Sequence, residues 1–252
     1  MKLIALFTLE LIASASILRA AIPVPQASPY TSDANTILLE HFDNSVNGTL
    51  TGPLSYASGI FGQAGHFSTS TSLNWNSGSL SQGTFEFWAS IESYASGAFP
   101  WVRLGFAHYS GLADAITFSV RVVEPAVHNP TFELNHAPFH WNSLQPAIAI
   151  GLNEWHHYAT TWGGAGMRYY LDGSLVASNS DTGGINPSTQ IWGLGSRSGY
   201  NEGLTGQMDE FRLSNIQREF SSVPEPASAV LLLVGAAFCI RRRSLRTHER
   251  NA

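Results

Sequence analysis

The chain has 252 residues, only 12% of them charged, with a formal net charge of −5 at neutral pH. Between Ile22 and Val223 it holds six arginines, no lysine and 15 acidic residues, a net charge of −9; this argues against nucleic acid or anionic lipid as a partner of that stretch, because phosphate binding needs clustered cations. About 200 residues between the two ends suit one large all-β domain that buries roughly 70% of its unfolded surface, and the only cysteine, Cys239, lies beyond them, leaving no disulfide.

Met1 and Lys2 precede an apolar stretch from Leu3 to Leu18 and the small residues Ala20 and Ala21, the layout of a secretory signal peptide over residues 1–21. Glu10 interrupts the apolar region and Arg19 sits near the expected cut, so cleavage after Ala15 and near Ala21 are both open. Residues 22–35, rich in proline at their start, read as a linker. From there to residue 218 the chain shows no sustained helical periodicity. Runs of aromatic and β-branched residues recur between Gly, Asn, Asp and Pro clusters, which predicts an all-β domain over residues 36–218. The clearest strands are Thr36–Phe42, Thr84–Glu92, Trp101–Ala107, Ala115–Val123, Trp155–Trp162, Met167–Leu171, Leu175–Ala177, Gln190–Leu194 and Gly206–Leu213. Asp172-Gly173 between two of them predicts a hairpin with a type I′ turn, which needs positive φ at both central residues.

Alternation assigns faces. In TFEFWAS, Phe85, Phe87 and Ala89 share one face and Glu86, Trp88 and Ser90 the other. In WHHYATTW, Tyr158 and Trp162 oppose His157, Ala159 and Thr161. In QMDEFRLS, strict alternation separates Asp209 from Glu210 and sets Met208, Glu210 and Arg212 against Asp209, Phe211 and Leu213. The aromatic residues of these strands are expected core, each burying of the order of 150–250 Å².

After residue 218 come a linker over 219–226 with Pro224, Glu225 and Pro226, an uncharged apolar run over 227–240, and a basic stub over 241–252 that opens with Arg241, Arg242 and Arg243. Proline stops regular structure before the run. Fourteen apolar residues are short for a bilayer span, but arginines directly after such a run hold its end on the cytoplasmic side. The tail resembles the PEP-CTERM sorting tails of bacterial exported proteins. That resemblance implies an exosortase-type processing enzyme as partner, transient anchoring in the membrane through the C-terminal segment, and a body placed in the cell envelope or outside the cell.

Six motifs follow one another in the body: LLEHFDNS from Leu38, FGQAGHFS from Phe61, GTFEFWASI from Gly83, NEWHHYATTW from Asn153, YYLDGSLV from Tyr169 and LTGQMDEFRLSN from Leu204. In this order they resemble the LamG-like, concanavalin A-like jelly rolls related to laminin G modules and pentraxins. The resemblance covers residues 36 to about 216 and implies a two-sheet antiparallel sandwich. Relatives of that kind often bind calcium through carboxylates and carbonyls, and Asp43 and Asp209 are the acidic positions matching the pattern; capping of a turn by Asp43, and pairing of Asp209 or Glu210 with Arg212, is the competing role.

Laminarinase-type glycosidases on this fold place two carboxylates on one strand face. A retaining pair stands about 5–5.5 Å apart, and no strand here carries such a pair. No GxSxG, HExxH or phosphate-cradling glycine loop occurs either. The nine histidines give no zinc motif, since Pro138 breaks the helical spacing of His136 and His140. The expected function is a non-catalytic, exported module binding glycan or matrix, with Trp101, Trp141, Trp192 and Tyr200 as aromatic platforms. A structural envelope or matrix protein without a specific ligand, and a glycosidase with a site assembled from loops, are the alternatives.

Overall fold

A computed structural model describes residues 22–24, 26–94, 101–108, 114–123, 127–135, 141–185, 189, 191–197 and 202–222. The signal-peptide segment, the Pro-Glu-Pro turn, the apolar run, the arginine stub, His136, His140 and Tyr200 lie outside these residues.

The described residues form strands and connections only. In chain order they are β1 (Ile22–Val24), β2 (Thr36–Glu40), β3 (Thr49–Thr51), β4 (Ser55–Ser58), β5 (Gln63–Phe67), β6 (Ser72–Asn76), β7 (Gly83–Ser93), β8 (Trp101–His108) and β9 (Asp114–Val123). They continue with β10 (Val127–Asn135), β11 (Trp141–Leu144), β12 (Trp155–Trp162), β13 (Met167–Leu171), β14 (Ser174–Asn179), β15 (Ile191–Gly195), β16 (Thr205–Ser214) and β17 (Phe220–Ser222).

Two antiparallel sheets pack face to face. One runs β11-β10-β9-β8-β15-β6-β3; the other runs β14-β13-β12-β7-β16-β5-β4, with β2 beside the second half of β16. The core between them is aromatic because alternate residues of the long strands point inward. Phe85 of β7 stacks on Phe118 of β9 with centroids 5.4 Å apart, and Trp162 of β12 stacks on Trp192 of β15 at 5.9 Å. Gly105 and Gly83 make room for Phe85 and Trp162, whose rings lie within 2.8 Å or less of where a Cβ would stand. The predicted faces of TFEFWAS and WHHYATTW are those observed, since Phe85, Phe87, Ala89, Tyr158 and Trp162 all join the main core. The Asp172-Gly173 turn has φ of 50° and 77°, joining β13 to β14 as its sequence predicts.

Two expectations are corrected. Alternation fails in β16, where the register against β7 slips between Asp209 and Arg212 and Glu210 adopts φ of 53°. This β-bulge resets the pleat, so Met208, Phe211 and Leu213 all enter the core while Asp209, Glu210 and Arg212 are left on the opposite face. Residues 22–35 are more than a linker. Val24 and Tyr30 pack with Trp88, Ala159, Tyr170 and Phe220 in a second apolar cluster, and β1 pairs in parallel with β17. The two ends of the body thus meet as a strap over the outer face of the eight-stranded sheet.

Candidate functional site

Beneath that strap the eight-stranded sheet carries buried charge. Arg212 Nε donates to Glu86 Oε1 at 2.8 Å, His157 Nε2 lies 3.4 Å from Glu86 Oε2, and the guanidinium sits 4.5 Å above the Tyr30 ring. Burial opposes ionisation of Glu86, but contact with His157 and the Arg212 charge outweigh it, so its carboxyl titrates below the ordinary range. Arg212 therefore pairs with Glu86, not with Asp209 or Glu210.

The bulge residues hold loops. Asp209 Oδ2 accepts from Phe61 N at 3.0 Å, and Asp43 Oδ1 accepts from Gln63 N at 2.9 Å. The two aspartates thus clasp the turn before β5, and a Cβ at Gly59 or Gly62 would collide with the Asp209 or the Asp43 carboxylate respectively. Glu210 accepts from Tyr30 N at 2.5 Å and contacts His41 Nδ1 at 2.7 Å. Burial pushes Asp209 up to about 7. Among the described residues no group of three or more His, Cys, Asp or Glu is arranged to hold a metal. The first, second and last sequence motifs therefore converge on one structural knot. The WHH and LDG motifs are likewise tied together by Asp172, which accepts from His157 N and contacts His156 Nδ1, both at 2.8 Å.

The aromatic platforms fare unevenly. Trp192 is fully buried, stacked between Phe85 and Trp162, and its indole donates to the Gly78 carbonyl at 2.7 Å. It is a core residue, and no ligand reaches it. Trp101 and Trp141 pair through their backbones with Arg121 and Asn135, and their side chains lie outside the description.

An open cleft lies instead on the outer face of the seven-stranded sheet. Two cross-strand rows build it. The first runs Thr49, Asn74, Gly193, Phe106 through β3, β6, β15 and β8; the second runs Asn76, Ile191, His108. Gly193 is the notch in the first row, since a Cβ there would clash with Phe106 Cζ and stand 2.5 Å from Asn74 Oδ1. The resulting cleft has a volume of about 280 Å³. Phe106 is its floor, 1% exposed and stacked on His108 with centroids 5.6 Å apart. Asn76 and Thr49 stand exposed at the rim, and the half-buried Asn74 amide lies 3.0 Å from the Ser72 hydroxyl. Apolar rings beside convergent amides and a hydroxyl can receive a ligand with both C–H faces and hydroxyl groups. Sequence reasoning passed over this site because SLNWN is rich in Ser and Asn; the inward Leu73 and Trp75 two residues apart were the available signal for a strand with Asn74 and Asn76 turned outward.

Comparison with known structures agrees with the sandwich. Domain 4 of an extracellular GH43 arabinanase from Geobacillus stearothermophilus, in complex with arabinotriose, matches with TM-score 0.58 at 17% identity, covering 73% of this chain and 93% of that one. The binding domain of botulinum neurotoxin DC in complex with SialylT matches with TM-score 0.57 at 14% identity over 73% of this chain and 48% of that one. A Trypanosoma rangeli sialidase matches with TM-score 0.50 at 15% identity over 75% of this chain and 32% of that one. At these identities the likeness is one of fold. No curated protein matches the chain by sequence. Residues 61–223, well over half the chain, match the Laminin_G_3 family model, and the chain belongs to that family, the concanavalin A-like lectin/glucanases superfamily.

Proposed function

We propose that this protein is an exported, non-catalytic glycan-binding module of the cell envelope or extracellular matrix. The observation that carries the reading is the cleft at Gly193, where an aromatic floor meets the Asn74 and Asn76 amides. Sugars are held by such pairings: hydroxyls bond to amides while the apolar face of the ring packs on an aromatic. Fold relatives in complex with arabinotriose and SialylT lend support.

Binding without hydrolysis is favoured by where the carboxylates lie. Glu86, Asp209 and Glu210 are buried on the other sheet beneath the strap, and each is engaged by a side chain or a loop backbone. No described residue lining the cleft carries a carboxyl group to act as acid, base or nucleophile. Export rests on the terminal segments of the sequence: residues 1–21 have the layout of a signal peptide, and the chain after residue 222 resembles a sorting tail with Pro224, Glu225 and Pro226.

Isothermal titration with neutral oligosaccharides tests the binding. Wild type should bind with a measurable Kd, and Asn74→Ala should weaken it about tenfold, the equivalent of about 1.4 kcal/mol for a hydrogen bond that matters. An unchanged Kd in Asn74→Ala places binding elsewhere. For export, mass spectrometry of protein from the native host should find a chain lacking its first 15–21 residues and everything after about Pro226. Peptides spanning Arg241–Arg243 in secreted material would contradict processing of the tail.

A further inference from the structure

We infer that the cleft selects uncharged glycans and rejects acidic polysaccharides such as uronates or sulfated chains. This rests on the glycan-binding reading of the cleft and adds the class of ligand.

The lining supplies hydrogen-bonding groups without a fixed charge. Thr49, Asn74 and Asn76 offer a hydroxyl and two amides, Phe106 offers a ring, and among the described lining residues only His108 is ionisable. A carboxylate or sulfate brought here would lose water without gaining a counter-charge, a loss that amides alone do not offset.

Nor are cations held in reserve nearby. The body has no lysine and six arginines. Four of these are committed to carboxylates: Arg103 to Glu202 and Arg168 to Glu219 at 2.9 Å, Arg212 to Glu86 and Arg218 to Asp33 at 2.8 Å. Arg121 occupies the far end of β9 from the cleft. It pairs in the ladder with Trp101, whereas His108 pairs with Asp114; the seven residue steps from Asp114 to Arg121 span roughly 24 Å of strand. The sixth, Arg197, already has an interaction of its own. The ladder partner of His108 is thus an aspartate. Around the whole sits a body of net charge −9, whose field repels polyanions at low salt.

The test is affinity electrophoresis of the full chain through gels containing neutral polymers (arabinan, β-glucan, xylan, mannan) or anionic ones (polygalacturonate, alginate, a sulfated galactan). The runs are repeated at about 20 mM and about 500 mM NaCl, which span strong and weak screening. The expected result is retardation by at least one neutral polymer, changing less than about twofold between the two salts because no charge pair is involved, together with free migration in the anionic gels. Asn76→Ala, at an exposed position where folding is not at risk, should reduce the neutral retardation at least threefold. Retardation by an anionic polymer that fades with salt and is lost in Asn76→Ala would overturn the selectivity while leaving glycan binding at the cleft intact. Neutral retardation unaffected by Asn76→Ala overturns the assignment to this cleft. Free migration in every gel overturns the glycan-binding reading itself, and the selectivity with it.

Discussion

Glu86 and Arg212 show how much of the charge in this protein serves the fold. Both lie on the outer face of the eight-stranded sheet, covered by Tyr30 and the strap, and Glu86 has no exposure at all. Removing one partner of such a pair leaves the other buried and uncompensated, which costs about 3–5 kcal/mol. Glu86→Ala should therefore lower stability by about that much in denaturant melts; a loss under about 1 kcal/mol would mean the strap opens to water and the pair is solvated.

Asp209 gives a pH signature of the opposite sign to an ordinary salt-bridged carboxylate. Burial raises its folded pKa to about 7, while an unfolded aspartate titrates near 3.9. Between these values the folded state holds the extra proton, so the contribution of Asp209 to stability is lost as pH rises from about 4 to about 7. Asp209→Asn keeps an oxygen for Phe61 N and removes the titration. Its stability should fall less than wild type's over that window, by up to a few kcal/mol at the upper end. Parallel stability–pH curves for the two proteins would contradict the assignment.

At the scale of elements, the strap and the bulge are what the sequence concealed. Strands with strict alternation and large residues were legible: β7, β12, β13 and the Asp172-Gly173 turn follow from pattern and turn chemistry alone. The bulge in β16 was not, because nothing in QMDEFRLS marks one residue for positive φ; adjacency therefore placed Asp209 and Glu210 on opposite faces when the chain puts them on one. β1 and β17 escaped notice for another reason. Each is three residues long, and a parallel pair between the two ends of a domain leaves no local signal. A ribbon that short is held by what it covers. Phe220, 6% exposed and packed on His157 and Tyr170, is its anchor. Phe220→Ala should cost about 3 kcal/mol and speed amide exchange in Ile22–Val24 before the rest of the fold. Unchanged exchange in those residues would show that the strap is held without Phe220.

For the molecule as a whole, two sheets of one sandwich have been put to different uses. The strap covers part of the outer face of the eight-stranded sheet, and the motif residues (the clasping aspartates, the buried ion pair, Asp172 of the β13–β14 turn bonded to the WHH strand) lock loops and ends in place. The sequence motifs that reveal the family accordingly say little about ligands. The outer face of the seven-stranded sheet carries the cleft, formed by residues with no motif character, an Asn-rich strand and a glycine that notches one cross-strand row. The fold was readable because burial imposes a period on sequence, whereas the site depends on which strands become neighbours, a fact that β6, β15 and β8 acquire only in register.

The most direct measurement is an NMR titration of the full chain with arabinotriose and other neutral oligosaccharides, following the side-chain amides of Asn74 and Asn76 and the backbone of β3, β6, β8 and β15. The glycan-binding account predicts saturable shifts confined to these groups and to His108 and Ile191, with His66 and Gln207 on the opposite sheet unmoved. Shifts centred on the eight-stranded sheet or along its β14 edge, or no shifts at the cleft with any of the sugars, would contradict it.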